Sequence, residues 1–259
     1  ERVVGQLDFN DFVASSGFNL GQGISAGNPD LDPQQAWVGE AAAERRFWKA
    51  GAATLTYRHS ELSDVVDRGP VRLVRVDPVT GVTTVTVFDQ PTNIGDGTKD
   101  EIIDTLNVPF DHFGWKGALL RGELNRRWSK VTDPTTLTAR PISKLRPTEW
   151  EVHFSQDLPR HRSSFGVDLV SGWTETSYRF NYIAQTKLHN GFLITWVERR
   201  LQPDLVLRLE IDNWAVRGLR YVTKVYDGPR DIGPLSYTDD RYLTPGRAFY
   251  VRVRKTFGG

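Results

Sequence analysis

Apolar and polar residues alternate along most of this chain, and clusters of turn-forming residues break the alternation into segments. In the run AFYVRVRKTF, residues 248–257, Phe249, Val251, Val253 and Phe257 fall on one side of an extended chain, and Tyr250, Arg252 and Arg254 on the other. Residues 205–211 set Leu205, Leu207, Leu209 and Ile211 against Val206, Arg208 and Glu210. Residues 149–156 set Trp150, Val152 and Phe154 against Glu151, His153 and Ser155, and residues 117–131 set Leu120, Gly122 and Leu124 against Arg121, Glu123 and Asn125. Residues 37–47 and 52–66 predict two further strands around a turn at 48–51, with Leu55 and Tyr57 opposite Thr54, Thr56 and Arg58. Within the first of these, GEAAAERR (39–46) has high helix propensity, so helix and strand both stay open there; Trp37, Phe47 and the following turn favour strand.

The connections come in two kinds. Short ones fall at 48–51, 109–116, 158–162 and 201–204, and long polar ones at 15–35, 69–97, 132–147 and 227–246. The two kinds largely alternate, which predicts an all-β, antiparallel up-and-down meander of about nine or ten strands, with short turns at one rim and long loops at the other. No Pro-, Gly- or Ser-rich linker divides the chain, so residues 1–259 read as one unit.

Two solvents fit the alternation. A soluble antiparallel sheet buries its apolar side and wets the other; a transmembrane β-barrel turns its apolar side to lipid and its polar side to a wet lumen. Charges of both signs crowd the polar faces, as cross-strand pairs in a lumen would, and the rim asymmetry is that of outer-membrane barrels. The pattern therefore favours the barrel, with Phe249, Val251 and Val253 toward lipid. Glu151, His153, Arg208, Glu210, Arg252 and Arg254 are then lumen-facing candidates for ligand contact. A charge on the lipid side costs about 2–4 kcal/mol at the midplane, so one face of each strand should be nearly free of charge; Lys255, near its strand's end, can snorkel.

Composition narrows the classes. Lys+Arg number 33 against 32 Asp+Glu, so no strong basic field points to nucleic acid. Mean hydropathy is −0.43 and no run approaches the length of a transmembrane helix, which leaves barrel strands untouched. Eight Trp suit interface belts, sugar sites or cores alike. With no Cys there is no disulfide, thiolate metal site or Cys nucleophile. The chain opens on Glu1, contains no Met and carries no signal-peptide pattern, which leads to the expectation of a piece of something longer.

Candidate chemistry is sparse. His59, Glu61 and Asp64 resemble a metal cluster in composition, but on a strand the third points away from the first two. Asn28, Asp30 and Asp32 form an oxygen-rich loop better explained by turn chemistry than by Ca²⁺. The Asp227–Asp231 and Asp239–Arg241 stretches read as solvated outer turns. The five histidines, at 59, 112, 153, 161 and 189, lack ligand spacing, no G-x-S-x-G element occurs, and no enzyme, metal or cofactor is expected.

Several stretches resemble the TonB-dependent outer-membrane receptors. GNPDLDP (27–33) followed by the strand from Trp37 with ERRF (44–47) is similar to that family's late-barrel loop-to-strand passage, and Leu55, His59, Leu62 and Asp64 to the next strand. NIG (93–95), LVLRLEIDN (205–213) and PGRAFY (245–250) through Phe257 resemble a strand opening, the penultimate strand and the closing strand. The resemblance implies a 22-stranded barrel around a plugged lumen, of which this chain supplies the C-terminal nine or ten strands. It further implies a bacterial outer-membrane location and import of a scarce nutrient (siderophore, cobalamin, sugar or peptide) with TonB-derived energy. The implied partners are outer-membrane lipid, the missing first barrel half and plug, the TonB complex through that plug, and the barrel-assembly machinery. That machinery would read a terminal signal of Phe249, Val251, Val253 and Phe257, after which two glycines trail. The alternatives are a soluble β-sheet protein binding a carbohydrate or apolar ligand, and an outer-membrane barrel hydrolase resting on His153.

Overall fold

The computed structural model describes residues 1–12, 16–19 and 23–257; the two trailing glycines and the start of the 15–35 connection at Ser15 lie outside them. In order the elements are β1 (Arg2–Val4), α1 (Phe9–Phe12), β2 (Ser16–Asn19), β3 (Gly23–Ala26), β4 (Gln35–Phe47), β5 (Gly51–Ser63), β6 (Val66–Val76), β7 (Thr83–Asn93), β8 (Gly97–Pro109), β9 (Ala118–Thr132), β10 (Ala139–Arg140), β11 (Thr148–Leu158), β12 (Ser163–Val170), β13 (Trp173–Tyr178), β14 (Tyr182–Leu188), β15 (Phe192–Gln202), β16 (Leu205–Asp212), β17 (Leu219–Tyr226), β18 (Leu235–Leu243) and β19 (Ala248–Lys255). About 65% of the chain is strand, which leaves no helical layer to cover a sheet.

The main sheet runs β1-β4-β5-β8-β9-β11-β12-β15-β16-β19, with β10 against β9. From β4 onward it is an antiparallel meander. Sequence neighbours within it join at one rim through short turns: 48–50 between β4 and β5, 110–117 between β8 and β9, 159–162 between β11 and β12, and 203–204 between β15 and β16. At the other rim long connections leave the sheet and return. The sheet does not close on itself: β19 is one edge, and β1 covers only Gln35, Ala36 and Trp37 of β4 at the other.

The long connections differ from the polar loops expected of them. Residues 64–96 form the hairpin β6–β7, which joins β3 and β2 in a second sheet, and 213–247 contain β17–β18, which with β13–β14 make a third sheet. Alternation is weaker in these stretches because Val, Thr, Arg and Asp occur on both faces, so period two did not announce them. The strand expected over 52–66 also stops at Ser63: Asp64 turns the chain in the left-handed region (φ 56°), and Val66 opens β6. GEAAAERR lies wholly within β4, where thirteen consecutive pairings with β5 override its helix propensity. Between β14 and β15, Asn190 and Gly191 take left-handed φ of 61° and 65°, and a Cβ at Gly191 would lie 1.8 Å from the Val170 carbonyl, so glycine is required there.

Conventional core is small. Val65, Leu62 and Val131 pack with Ala36, Ile94 and Ile142 where the connections leave the main sheet. What holds the connections together is a buried ionic cluster beyond that rim. Asp133, 1% exposed, accepts from Arg140 (2.6 Å) and, on both of its carboxylate oxygens, from Arg230 (2.8 and 2.9 Å). Arg140 also reaches Asp67 of β6 (2.9 Å), and the Arg140 and Arg230 guanidinium groups lie over the Tyr178 ring at 4.6 and 5.8 Å. Four separate chain segments meet in this cluster. Burial pulls the Asp133 carboxyl upward, but Arg230 and the backbone N–H groups of Thr136 and Thr135 outweigh it and hold the carboxyl below its ordinary range.

Removing one member of a buried ion cluster leaves its partners uncompensated, at about 3–5 kcal/mol. Asp133→Ala is therefore expected to lower the opening free energy of β6, β13 and the 227–234 turn by that amount in amide hydrogen exchange, with β15 and β16 unchanged. Because the folded carboxyl titrates below its unfolded value, the cluster's contribution is complete above the ordinary aspartate range and is lost as pH falls below about 4. Exchange in the same segments at pH 3 and pH 6 checks this; equal protection at both would sink it.

Candidate functional site

Register fixes which side chains share a face. Along one line of pairing, Glu40 lies beside Arg58, Arg58 beside Glu101, and Glu101 beside Arg127. The side chains follow. Arg58 donates to Glu40 (2.7 and 2.9 Å) and reaches Glu101 at 3.7 Å; Glu101 takes Lys99 at 3.0 Å and Arg127 at 3.2 Å; Arg127 also bonds Glu149. Glu149 pairs with Arg146 (2.9 Å), which reaches Glu175 of β13 (2.6 Å) and stacks on Trp173 at 3.9 Å. The result is an alternating line of acid and base that crosses the polar face of the main sheet and climbs into the third sheet. Glu101 is its most buried member, 6% exposed among three cations.

The six polar-face residues singled out from sequence all lie on this same face, in two groups nearer the other edge. His153 sits between Asp168 (2.9 Å) and Glu151 (3.2 Å). Glu210 takes Arg208 (2.6 Å) and Arg252 (2.6 Å) on its two oxygens, and Arg208 stacks over Trp196 at 4.3 Å. Trp196 in turn lies against Gly166, where an added Cβ would come within 2.5 Å of the indole. Arg254 approaches Glu198 at 3.7 Å. These groups pair with one another. His59 pairs with Asp100 (2.7 Å) on the opposite face, apart from Asp64, and among the described residues no group of three or more His, Asp or Glu is placed to hold a metal.

The opposite face is apolar and exposed. Phe249, Val251 and Val253 are 70%, 69% and 66% exposed, and Phe257 follows beyond the strand end with Lys255 Nζ 5.5 Å from its ring. Leu209, Val197, Leu169, Phe165, Leu106 and Leu55 continue the face across the sheet. At the short-turn rim it ends in aromatic side chains: Trp48 stacks on His112 (4.5 Å) with Phe113 beside it, and Phe110, Trp115, Phe154 and Phe165 follow at 5.4 to 6.3 Å. This belt was not singled out from sequence, although the 109–116 turn (PFDHFGWK) carries four of its members.

Beyond the long-connection rim, the third sheet presents a face lined by Arg179, Tyr182, Tyr221, Tyr237 and Arg241 around a cavity of about 780 Å³. Glu175 lies on the same face by register, so this surface continues the polar face of the main sheet. Sequence reasoning missed it, having placed 227–246 in a loop. The chain matches no family model, no curated protein and no solved structure.

The ion-pair line carries its energy unevenly. Glu101→Gln is expected to cost about 3–5 kcal/mol in folding stability, since it leaves Arg58, Lys99 and Arg127 facing one another. Glu40→Gln, at an exposed end, is expected to cost at most about 1 kcal/mol. Denaturant unfolding in detergent micelles measures both, and equal costs would show the line to be a set of independent surface pairs.

Proposed function

We propose that the chain is part of an outer-membrane transport receptor of the TonB-dependent kind, a transmembrane barrel segment that captures a nutrient at its outer surface and passes it along the lumen. The observation that carries this reading is surface area. A compact monomer of 29.4 kDa exposes about 11,500 Å² by the usual scaling, 6.3 M^0.73. This chain exposes 16792 Å². Among the described residues the buried apolar side chains are Leu31, Leu62, Val65, Ala118, Val131, Leu188 and Val206, too few for a soluble domain of this length. A soluble sheet needs a second layer on its apolar face; here lipid supplies it, and the aromatic belt marks the level of the headgroups.

Lengths and rims agree with that reading. The nine strands from β4 to β19 have 8 to 15 residues, against the 9–11 or so that cross a bilayer at barrel tilt. Short turns face the periplasm and the extended connections face outward. In lipid an open edge is not tolerated, so β19 and the uncovered length of β4 are paired by strands from outside these residues. Glu151, His153, Arg208, Glu210, Arg252 and Arg254 line the lumen wall as structural pairs, open to a plug or a passing ligand. Phe257, exposed past the last strand, serves as the terminal residue read during barrel assembly.

Charged residues interrupt the band: His59 and Asp100 pair on this face, and Arg126 and Asp104 lie nearer its middle. Asp104 lies on the apolar face of β8, paired across to Leu55 and Leu124. An aspartate there costs less than a basic residue but still opposes insertion. The reading makes opposite demands at two positions. Val251→Arg is expected to lower the folded fraction in outer-membrane lipid vesicles by about 2–4 kcal/mol, whereas Asp104→Leu raises it. If the unaltered chain stays monodisperse and folded in water without detergent, the membrane reading fails and a soluble binding protein takes its place. Phe257→Asp should sharply reduce outer-membrane yield in cells without changing stability in micelles; normal yield removes the assembly role.

A further inference from the structure

The face of the third sheet is built around one arginine, Arg179, whose backbone is pinned and whose guanidinium bonds Tyr182 and feels the charge of Asp89 without a direct ion pair among the described residues. Arg179 N–H donates to the Tyr182 carbonyl (2.9 Å), closing a tight turn, and its own carbonyl accepts from Arg230 Nε, a member of the buried cluster. The next residue, Phe180, donates its N–H to both oxygens of Asp89 at 2.9 Å. Two separate segments, at Asp89 and Arg230, therefore hold the main chain at this point in addition to its own turn. Yet the Arg179 guanidinium forms no ion pair among the described residues, whereas neighbouring Arg68 is matched by Asp11 at 2.9 Å. Burial and the nearness of Arg179 together push the Arg68 guanidinium below its ordinary range. Arg179 lines both the 780 Å³ cavity and a second one of about 380 Å³ on the side of Asp67 and Arg68.

The rest of the face repeats ring and charge. Register places Tyr182 and Tyr237 on one row through Val225, and Tyr221 with Arg241 on another row four residues away, about 13 Å along the strands. Arg241 keeps an ion pair with Asp239 and stands in solvent. A single aromatic acid would satisfy Arg179 and one tyrosine and leave the second row untouched. A chain of flat-faced rings bearing acid groups would use both rows. Tyrosine offers such rings an apolar face and a hydroxyl, and a fixed arginine offers a carboxylate a bidentate partner.

We propose that this face binds an acidic oligosaccharide, one carboxylate seated on Arg179 and its sugar rings lying across Tyr182, Tyr237 and Tyr221 toward Arg241. The inference deepens the receptor reading and rests on it for the side from which ligand arrives; binding itself is measurable whichever way the membrane test falls. The probe is trigalacturonate, titrated calorimetrically into the full chain in detergent micelles, with neutral maltotriose and benzoate as comparisons. Trigalacturonate is expected to bind at least about tenfold tighter than either comparison, the worth of one charge-assisted hydrogen bond or more. Arg179→Ala should weaken it by about 10- to 100-fold, and Tyr237→Ala, at the exposed edge strand, by several-fold. Hydrogen exchange of β13 and β14 should stay unchanged in Arg179→Ala, because the pinning contacts are backbone ones. Equal binding of maltotriose or of benzoate, unchanged affinity in Arg179→Ala with protection intact, or no binding of trigalacturonate overturns the proposal.

Discussion

Register is the constraint on which everything else here depends. Side chains of a strand alternate with period two, so a slip of one residue at any pairing of the meander exchanges its faces. Glu101 would then point to the apolar side and Ile102 to the polar one. Both errors are costly: the glutamate would lose three cations, and the isoleucine would leave the apolar band. Ion pairing on one face and apolar contact on the other therefore favour the same register, and the pairings from β5 to β9 run unbroken in it. The turns between β4 and β5 and between β15 and β16 help, because a connection of two or three residues tolerates few alternative registers.

The outer sheets depend on a second, more concentrated interaction. They have little apolar packing of their own, and hairpins of this kind are marginal in isolation. Their stability comes from a handful of buried charges, Asp67, Asp133, Arg140 and Arg230, drawn from three segments far apart in sequence. Such a cluster is weak evidence for great stability, since desolvation offsets much of its Coulomb gain. Its value is in geometry. Each guanidinium accepts only a few directions of approach, so the cluster specifies how the hairpins sit on one another and on the main sheet. The line through Glu149, Arg146 and Glu175 makes the same link on the polar side.

These two interactions also explain what the sequence made legible. The strands of the main sheet were readable because one side of each is mostly apolar and the other charged, which is what a period-two pattern reports. Leu205–Asp212 and Ala248–Lys255 appear almost residue for residue where the alternation placed them. The outer hairpins were not readable, because both of their faces meet polar surroundings and so impose no alternation. β6 shows this: Arg72, Val74 and Val76 share one face, Leu73 and Arg75 the other. The polar residues at Glu151, His153, Arg208 and Glu210 were assignable to a face but not to partners, since pairing depends on which strand lies alongside. Arg179 and the three tyrosines were beyond reach for the same reason, as they are gathered from the turn after β13 and from β14, β17 and β18 only once those hairpins stand side by side.

The exposed area and the free edges then point the same way. A sheet of this size, apolar on one side and charged on the other, has three unsatisfied surfaces: the apolar face, the polar face and the two edge backbones. Water suits only the polar face. A second soluble layer would cover the apolar face but leave the edges open, inviting strand addition by other copies. Curvature into a closed ring satisfies the edges and, in lipid, the apolar face as well, leaving only the charged side for water. On the receptor reading proposed above, a ring completed by strands from outside these residues is the arrangement in which no surface of the nine-strand meander is left in the wrong solvent.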